Sequence, residues 1–369
     1  MGSYIDIIKT ALLFFPVIAF FISFPFILIE YHKYGSISLL KTIIIYSFIL
    51  YLLCAYFLII LPLPKFSEVK ALTTPKMQLI PFEFIIDFIK YSSFKINDIH
   101  TYISALKESY FYVPLYNIFL TLPFGMYLKY YFKCSFKKTV FLTFCLSLFF
   151  ELTQLSGLYF IYPRGYRLFD VDDLFLNTIG GTLGYLIMKP LSKLLPKRED
   201  IDYKAIEKGK NISGLRKLTT ICLDLFLLSL IQIVFYIFLR NYKYTFIITS
   251  PLYYLILPLF FKGQTFAEKF LNIQVVDYEN NYKVMKTLLR RILFFAIYIL
   301  MPIILFKIYG FIHLKNEFIL GVLLLLWVFI FEFSSFIKFL FTKKELPYET
   351  LSKTKLLSTV KHNPTSNNN

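Results

Sequence analysis

Glu151 and Gln154 stand three residues apart inside an apolar run, so on a helix they share one face. The chain then reads Arg164-Gly-Tyr-Arg167-Leu-Phe-Asp170-Val-Asp172-Asp173-Leu-Phe-Leu-Asn177. Asp173 and Asn177 fall on one stripe that continues through Gly180, Gly181 and Gly184. An ionisable group inside a membrane span costs roughly 2.5–3.5 kcal/mol on insertion scales, so a cluster of them needs a reason. Three chemistries suit these residue types. The first is internal: Arg167 pairs Asp170 or Asp173, Glu151 is hydrogen-bonded to Gln154 or Asn177, and the network clamps two helices. The second is a polar-ligand site built from Asn117, Glu151, Gln154, Arg164, Arg167, Asp170, Asp173 and Asn177. The third is a divalent-cation site, because Glu151, Asp170, Asp172 and Asp173 offer hard oxygen ligands. The ligand site is the reading taken forward, with no metal and no cofactor. No nucleophile–base pair accompanies these residues, which leaves hydrolysis little support; acid–base work by the carboxylates keeps a membrane-embedded transferase open.

A second polar set lies further along. Arg216 precedes an apolar run and Asp224 follows eight residues later, about 12 Å deeper on a helix. Asp224 is a functional candidate by its position, or else a charge neutralised by Arg290 or Arg291. Glu332 is a further carboxylate in an apolar run with no evident partner.

The elements that carry these residues are membrane helices. Of 369 residues, 57% are hydrophobic and 20% aromatic, with a mean hydropathy of +0.62. A soluble fold could not cover such a composition with polar groups, so the apolar excess faces lipid. Runs long enough to cross about 30 Å of hydrocarbon occur at 10–31, 38–61, 111–132, 138–158, 171–189, 217–239, 245–261, 290–310 and 317–341. The expected fold is all-α: a polytopic integral membrane bundle of about nine helices in two modules. Pro16, Pro25, Pro123, Pro258 and Pro302 fall inside these runs, where neighbouring helices can satisfy the freed carbonyls. The first run is too long for a signal-peptide core and lacks a small-residue cleavage site, so it reads as a retained span.

The net charge of +17 sits in short basic runs between apolar stretches, which suits anionic headgroups rather than nucleic acid. Lys129, Lys133, Lys137 and Lys138, the 193–210 segment, Lys262 to Lys286, and Lys343 with Lys344 all mark inside loops. The C-terminus is then cytoplasmic and the N-terminus outside, in a multi-pass protein of the cell membrane. Segment 62–110 becomes an outer loop. Within it, Phe82–Tyr91 places Glu83, Asp87 and Lys90 on one stripe amid apolar residues, as in a helix lying in the interface or packed on the bundle. Cys54, Cys134, Cys145 and Cys222 are scattered, without metal-ligand spacing, and no internal repeat is evident. The expected boundaries are an extra helix with its loop at 1–45, a membrane module at 46–189, and a cytoplasmic linker at 190–213. A second module follows at 214–341, and a disordered tail at 342–369.

The first module resembles the VanZ-like family over about residues 46–188. The likeness rests on Ile80-Pro81-Phe82, Asn117 with Pro123-Phe-Gly125, Glu151-x-x-Gln154, and Arg167-x-x-Asp170-x-x-Asp173-x-x-x-Asn177-x-x-Gly180. The resemblance implies a bacterial envelope protein linked to teicoplanin and related glycopeptide resistance. Residues 214–310 resemble the RDD family through Arg216…Asp224, Gly263-Gln-Thr with the extended Ile273–Asp277 piece, and Leu288-Leu-Arg290; Ala267, Glu268 and Gln274 depart from its pattern. Some relatives of that family are associated with cation/proton exchange. Two functions follow as expectations. In the first, an outer polar site binds a lipid headgroup or lipid-linked cell-wall precursor and lowers glycopeptide access. In the second, a secondary transporter couples to cations or protons through Asp224 and Glu332 or Glu151.

Overall fold

A computed structural model of the chain describes residues 2–311, 318–342 and 345–360. It forms two compact units, one comprising the chain up to Ile22 together with Leu39–Ile201, the other comprising Ser23–Ser38 together with the chain from Asp202 onward. The sequence boundaries therefore shift, since residues 23–38 belong with the second unit. The expected linker also contains structure: Arg198–Gly209 is a helix, with Ile201 and Ala205 buried at i,i+4 spacing.

Helix α1 (Gly2–Tyr34) starts in the first unit and ends in the second. The rest of the first unit runs α2 (Leu39–Ile60), α3 (Phe66–Ala71), β1 (Met77–Gln78), α4 (Glu83–Tyr91), α5 (His100–Ala105), α6 (Ser109–Tyr130) and α7 (Phe136–Leu155). A four-residue turn, α8 (Gly157–Phe160), follows with left-handed φ at each residue, then β2 (Phe169–Asp170), α9 (Val171–Leu191) and the start of α10 (Arg198–Gly209). The second unit continues with α11 (Gly214–Leu239), α12 (Tyr242–Pro251), α13 (Leu257–Phe260), α14 (Phe266–Phe270) and β3 (Ile273–Asp277). It ends with α15 (Val284–Phe295), α16 (Met301–Phe311), α17 (Phe318–Phe341), α18 (Pro347–Ser352) and β4 (Thr354–Ser358). One π-helical turn separates α12 from α13 and another separates α15 from α16.

Among the described residues, seven helices are long and apolar enough to cross a membrane: Asp6–Tyr34, Leu39–Ile60, Ser109–Tyr130, Phe136–Leu155, Gly214–Leu239, Val284–Leu305 and Leu323–Phe341. The chain is an all-α, multi-pass membrane protein. The other two expected spans are helical but differ in kind. α9 carries Asp172, Asp173, Asn177 and three glycines, which dilute its apolarity, and 245–261 is divided into α12, which ends at Pro251, a π turn, and α13, which holds Pro258 in its first turn.

Side-chain placement is inverted relative to a water-soluble protein. α7 buries Thr139, Thr143, Ser147 and Glu151, a stripe of period four, and exposes Phe141, Phe144, Phe149 and Leu152. Small polar residues inside let helices approach and hydrogen-bond, while phenylalanine meets lipid. The approach of α6 to α9 is closer still. A Cβ on Gly180 would lie 2.1 Å from the Ile118 carbonyl oxygen, and one on Gly184 would lie 2.0 Å from that of Leu122. Only glycine permits this contact, which brings Asn117 on α6 beside Asp173 on α9.

β1 pairs in parallel with β2, Met77 with Phe169 and Gln78 with Asp170, tying the 62–110 segment to the start of α9. In the second unit β3 pairs antiparallel with β4, Ile273 with Ser358 through Asp277 with Thr354. The expectation of a disordered tail from residue 342 is therefore corrected. Residues 347–358 are ordered because Leu346 and Tyr348 are buried and Glu349 pairs with Arg290. Lys343, Lys344 and residues 361–369 lie outside the described residues.

Candidate functional site

The polar residues of the first unit form a chain of contacts across α6, α7 and α9. Glu151, 2% exposed on α7, accepts from the Asp170 backbone N–H at 2.9 Å through Oε2. Asp170 caps α9, its Oδ1 accepting from the Asp172 N–H at 2.8 Å. Such a cap satisfies an orphan donor of the helix and places negative charge at its positive end. Asn117 donates to Asp173 Oδ1. One turn deeper, Asn177 Nδ2 donates to Ser147 Oγ at 2.9 Å, and Ser147 donates to the Asp173 carbonyl at 3.2 Å. Thr121 closes the layer by donating to the Asn177 carbonyl at 2.5 Å. The Asn177 Oδ1 is buried with no hydrogen-bond partner among the described residues.

Two of the expected internal pairings do not occur. Glu151 bonds the Asp170 amide rather than Gln154 or Asn177, because the N-cap turn of α9 reaches it first. Gln154 is buried, and its side chain makes no hydrogen bond among the described residues. Arg167 pairs with neither Asp170 nor Asp173. Its guanidinium donates to the carbonyls of Leu58 and Leu61, at the C-terminal end of α2. Arg164 likewise donates to the Leu72 and Thr74 carbonyls. Both arginines thus satisfy backbone carbonyls at a helix end and in a loop, where a cation also meets the negative pole of a helix.

The residue that sequence reasoning undervalued is Asp172, considered only as an oxygen ligand for a cation. It is 2% exposed and accepts from the backbone N–H groups of Phe82 at 2.6 Å and Phe84 at 3.1 Å, with the Gln78 amide at 3.4 Å. Phe82 has a left-handed φ of 67°, costly for a bulky residue, and stacks on Phe175 of α9 at 5.7 Å. Asp172 therefore fixes the first turn of α4 over α9. Ser147 and Thr121 were also missed; the four-residue spacing of Thr139, Thr143, Ser147 and Glu151 was the available signal.

Between α4, the start of α6 and the start of α9 lies a cavity of about 300 Å³. Glu83, Asp87, Asp170, Asp172 and Asp173 line it beside Gln78, Ser109 and Tyr110, and among the described residues its wall holds no lysine, arginine or histidine. The carboxylates of Glu83 and Asp87 make no hydrogen bond or ion pair among the described residues. A hollow of about 640 Å³ shares Gln78, Glu83 and Leu168 with it and includes Arg167 in an otherwise largely apolar wall. Among the described residues, no three acidic, histidine or cysteine side chains converge as a metal ion requires. The arrangement suits an organic cation, which needs dispersed negative charge and acceptors rather than a tight oxygen shell.

Residues 48–194 match the VanZ/LLP1 family model. No curated protein and no solved structure matches the chain. The VanZ/LLP1 region covers less than half of the chain and contains α6, α7, α9 and every wall residue of the acidic cavity. It ends before the second unit's residues 214–310, and the family match gives no support to the expected RDD module there.

In that second unit, Arg216 is fully buried and donates to the carbonyls of Leu271, Asn272, Gly35 and Gly209 and to Ser358 Oγ, at 2.7–3.1 Å. Asp224 accepts from Tyr253 Oη at 2.6 Å, Thr265 Oγ1 at 2.9 Å and the Ala267 N–H at 3.3 Å. The expected neutralisation of Asp224 by Arg290 or Arg291 is corrected, because those arginines are engaged elsewhere. Arg290 pairs with Glu349 at 2.7 Å and Arg291 with Glu268 at 2.7 Å. Arg216 and Asp224 both grip the 265–272 segment. Asp277 holds the next turn, accepting from Asn281 N–H at 2.9 Å and pairing Lys283 at 2.8 Å. The hydrogen bond from Lys283, with that from the Asn281 amide, keeps the Asp277 carboxyl well below the usual carboxylate range.

Proposed function

We propose that this is a VanZ-like cell-envelope membrane protein whose acidic cavity receives the cationic group of a membrane ligand. The ligand is an amine-bearing lipid headgroup or lipid-linked wall precursor, and its capture lowers the access of teicoplanin-type glycopeptides to the surface. The cavity then opens to the outer side of the membrane, with the C-terminus cytoplasmic and the N-terminus outside. One observation carries this reading: five carboxylates line the cavity with no basic residue among the described ones, and Arg164 and Arg167 are committed to backbone carbonyls. An anionic headgroup would meet repulsion there; an ammonium would meet unpaired charge at Glu83 and Asp87. The VanZ/LLP1 match over 48–194 supports the envelope setting.

The test uses the full chain in phosphatidylcholine nanodiscs, titrated with dodecylammonium and with dodecyl phosphate. The ammonium should bind, the phosphate should not, and Asp87→Asn should weaken binding at least tenfold. Preference for the phosphate, or indifference to Asp87→Asn and Glu83→Gln, would overturn the reading.

A second reading, transport of cations or protons by an RDD-like second unit, draws support from Glu332. Its Oε1 is buried within α17 with no hydrogen-bond partner among the described residues. Asp224, by contrast, already has three donors, so Glu332 is the coupling carboxylate in this reading. A pH-driven cation flux in vesicles that Glu332→Gln abolishes would favour it; an unchanged flux would remove it.

A further inference from the structure

Helix α4 is amphipathic in the reverse sense from a helix on a water-exposed surface. Glu83, Phe84 and Asp87 face the acidic cavity, and Phe88 turns inward against Phe94 and Phe111. The opposite face presents Ile85, Ile86 and Ile89, the last 69% exposed, and continues into exposed Leu79, Ile80 and Phe82. Charges inside and isoleucines outside leave water as the wrong solvent for that face. At nine residues the helix is about 13 Å long, too short to cross the hydrocarbon, so it must lie along the membrane rather than through it.

The helix packs beside α6, itself a membrane span, which exposes Tyr116 and Phe119. Lys90 lies at the rim of the apolar face, its Nζ 5.1 Å from the Tyr91 ring centroid. A lysine and a tyrosine at that position are the usual border residues between acyl chains and headgroups.

We infer that residues 79–91 form a membrane-seated flap, with the isoleucine face of α4 in the lipid of one leaflet and its acidic face walling the cavity. The occupant of the exposed face is the leaflet itself. The cavity then borders the headgroup layer and takes its ligand from there, a step that rests on the cationic-ligand reading above; the seating of α4 does not.

The chain has a single tryptophan, Trp327, so Trp327→Phe provides a silent background. In it, Ile86→Trp and Ile89→Trp are made separately. The full chain is reconstituted in phosphatidylcholine vesicles with and without bromine at carbons 6 and 7 of the acyl chain. Lipid seating predicts blue-shifted emission, at least twofold quenching by the brominated lipid, and little quenching by aqueous iodide. Water-like emission quenched by iodide and not by bromine would overturn the flap. So would blue-shifted emission that ignores brominated lipid, since it would place a protein surface, such as a second copy of the chain, over the face. Bromine quenching retained without dodecylammonium binding would leave the flap standing and remove the ligand. Binding without quenching would do the reverse.

Discussion

Replacing Asp172 by alanine should free the first turn of α4 while leaving the helix bundle intact. The carboxylate accepts from Phe82 N–H at 2.6 Å and Phe84 N–H at 3.1 Å, and more weakly from the Gln78 amide. Hydrogen bonds to a charged group contribute about 1.5–3 kcal/mol each, so the two backbone bonds amount to roughly 3–6 kcal/mol. Part of this returns when Phe82 leaves its left-handed conformation, which costs about 1–2 kcal/mol. Part returns when freed amides meet water. A net loss of about 3 kcal/mol corresponds to roughly 150-fold faster amide exchange in residues 79–88. Hydrogen-exchange mass spectrometry in nanodiscs measures this directly, with α11 peptides as the internal reference. Asp172→Asn keeps one acceptor oxygen and should show an intermediate effect. Exchange in 79–88 within about threefold of wild type, or acceleration spread evenly over the first unit, would refute the assignment of Asp172 as the tether.

Further outcomes follow from the same contacts. Gly184→Val should abolish monodisperse, folded protein, because even a Cβ at that position would sit 2.0 Å from the Leu122 carbonyl oxygen; size-exclusion profiles in detergent report it. Arg290→Met alone should destabilise by about 3–5 kcal/mol by stranding buried Glu349, and adding Glu349→Leu should recover much of the loss; thermal melts in detergent compare them. Arg167→Gln should lower the melting temperature by releasing the α2 carbonyls, and adding Asp170→Asn should not restore it, since the two side chains are not paired. For Asp277 the folded-state pKa is depressed, so its contribution is present above the ordinary aspartate value near ~3.9 and is lost as pH falls through and below it. Lys283 is raised by the same hydrogen bond, so its share is complete below its ordinary value near ~10.4 and is lost only as pH rises further. Exchange protection across 273–283 should therefore hold between about pH 5 and pH 10 and weaken below about pH 4; protection that peaks at acid pH would contradict the pairing.

Features written in the local spacing of residues are legible from the sequence alone. The apolar runs require a membrane helix bundle. The glycines of α9 announce a close helix approach, and α6 makes it. Glu83 and Asp87, four apart among isoleucines, define the two faces of α4, and the Ile273–Asp277 alternation becomes β3. Each of these depends on a period of two or 3.6 within a single element, and a sequence carries that directly.

What the sequence left open is which distant group each charge meets. Arg167 could reach Asp170 three residues away, yet it caps α2, more than a hundred residues earlier in the chain. Arg290 is one of the two partners expected for Asp224, yet it pairs with Glu349, in a segment expected to be disordered. Asp172, beside the more conspicuous Asp173, turned out to hold α4 in place. A buried charge takes whichever partner or backbone dipole the closed fold delivers within about 3 Å, because leaving it unmatched costs more than any local preference supplies. That choice is made when helices far apart in sequence come together, and only the tertiary structure records it.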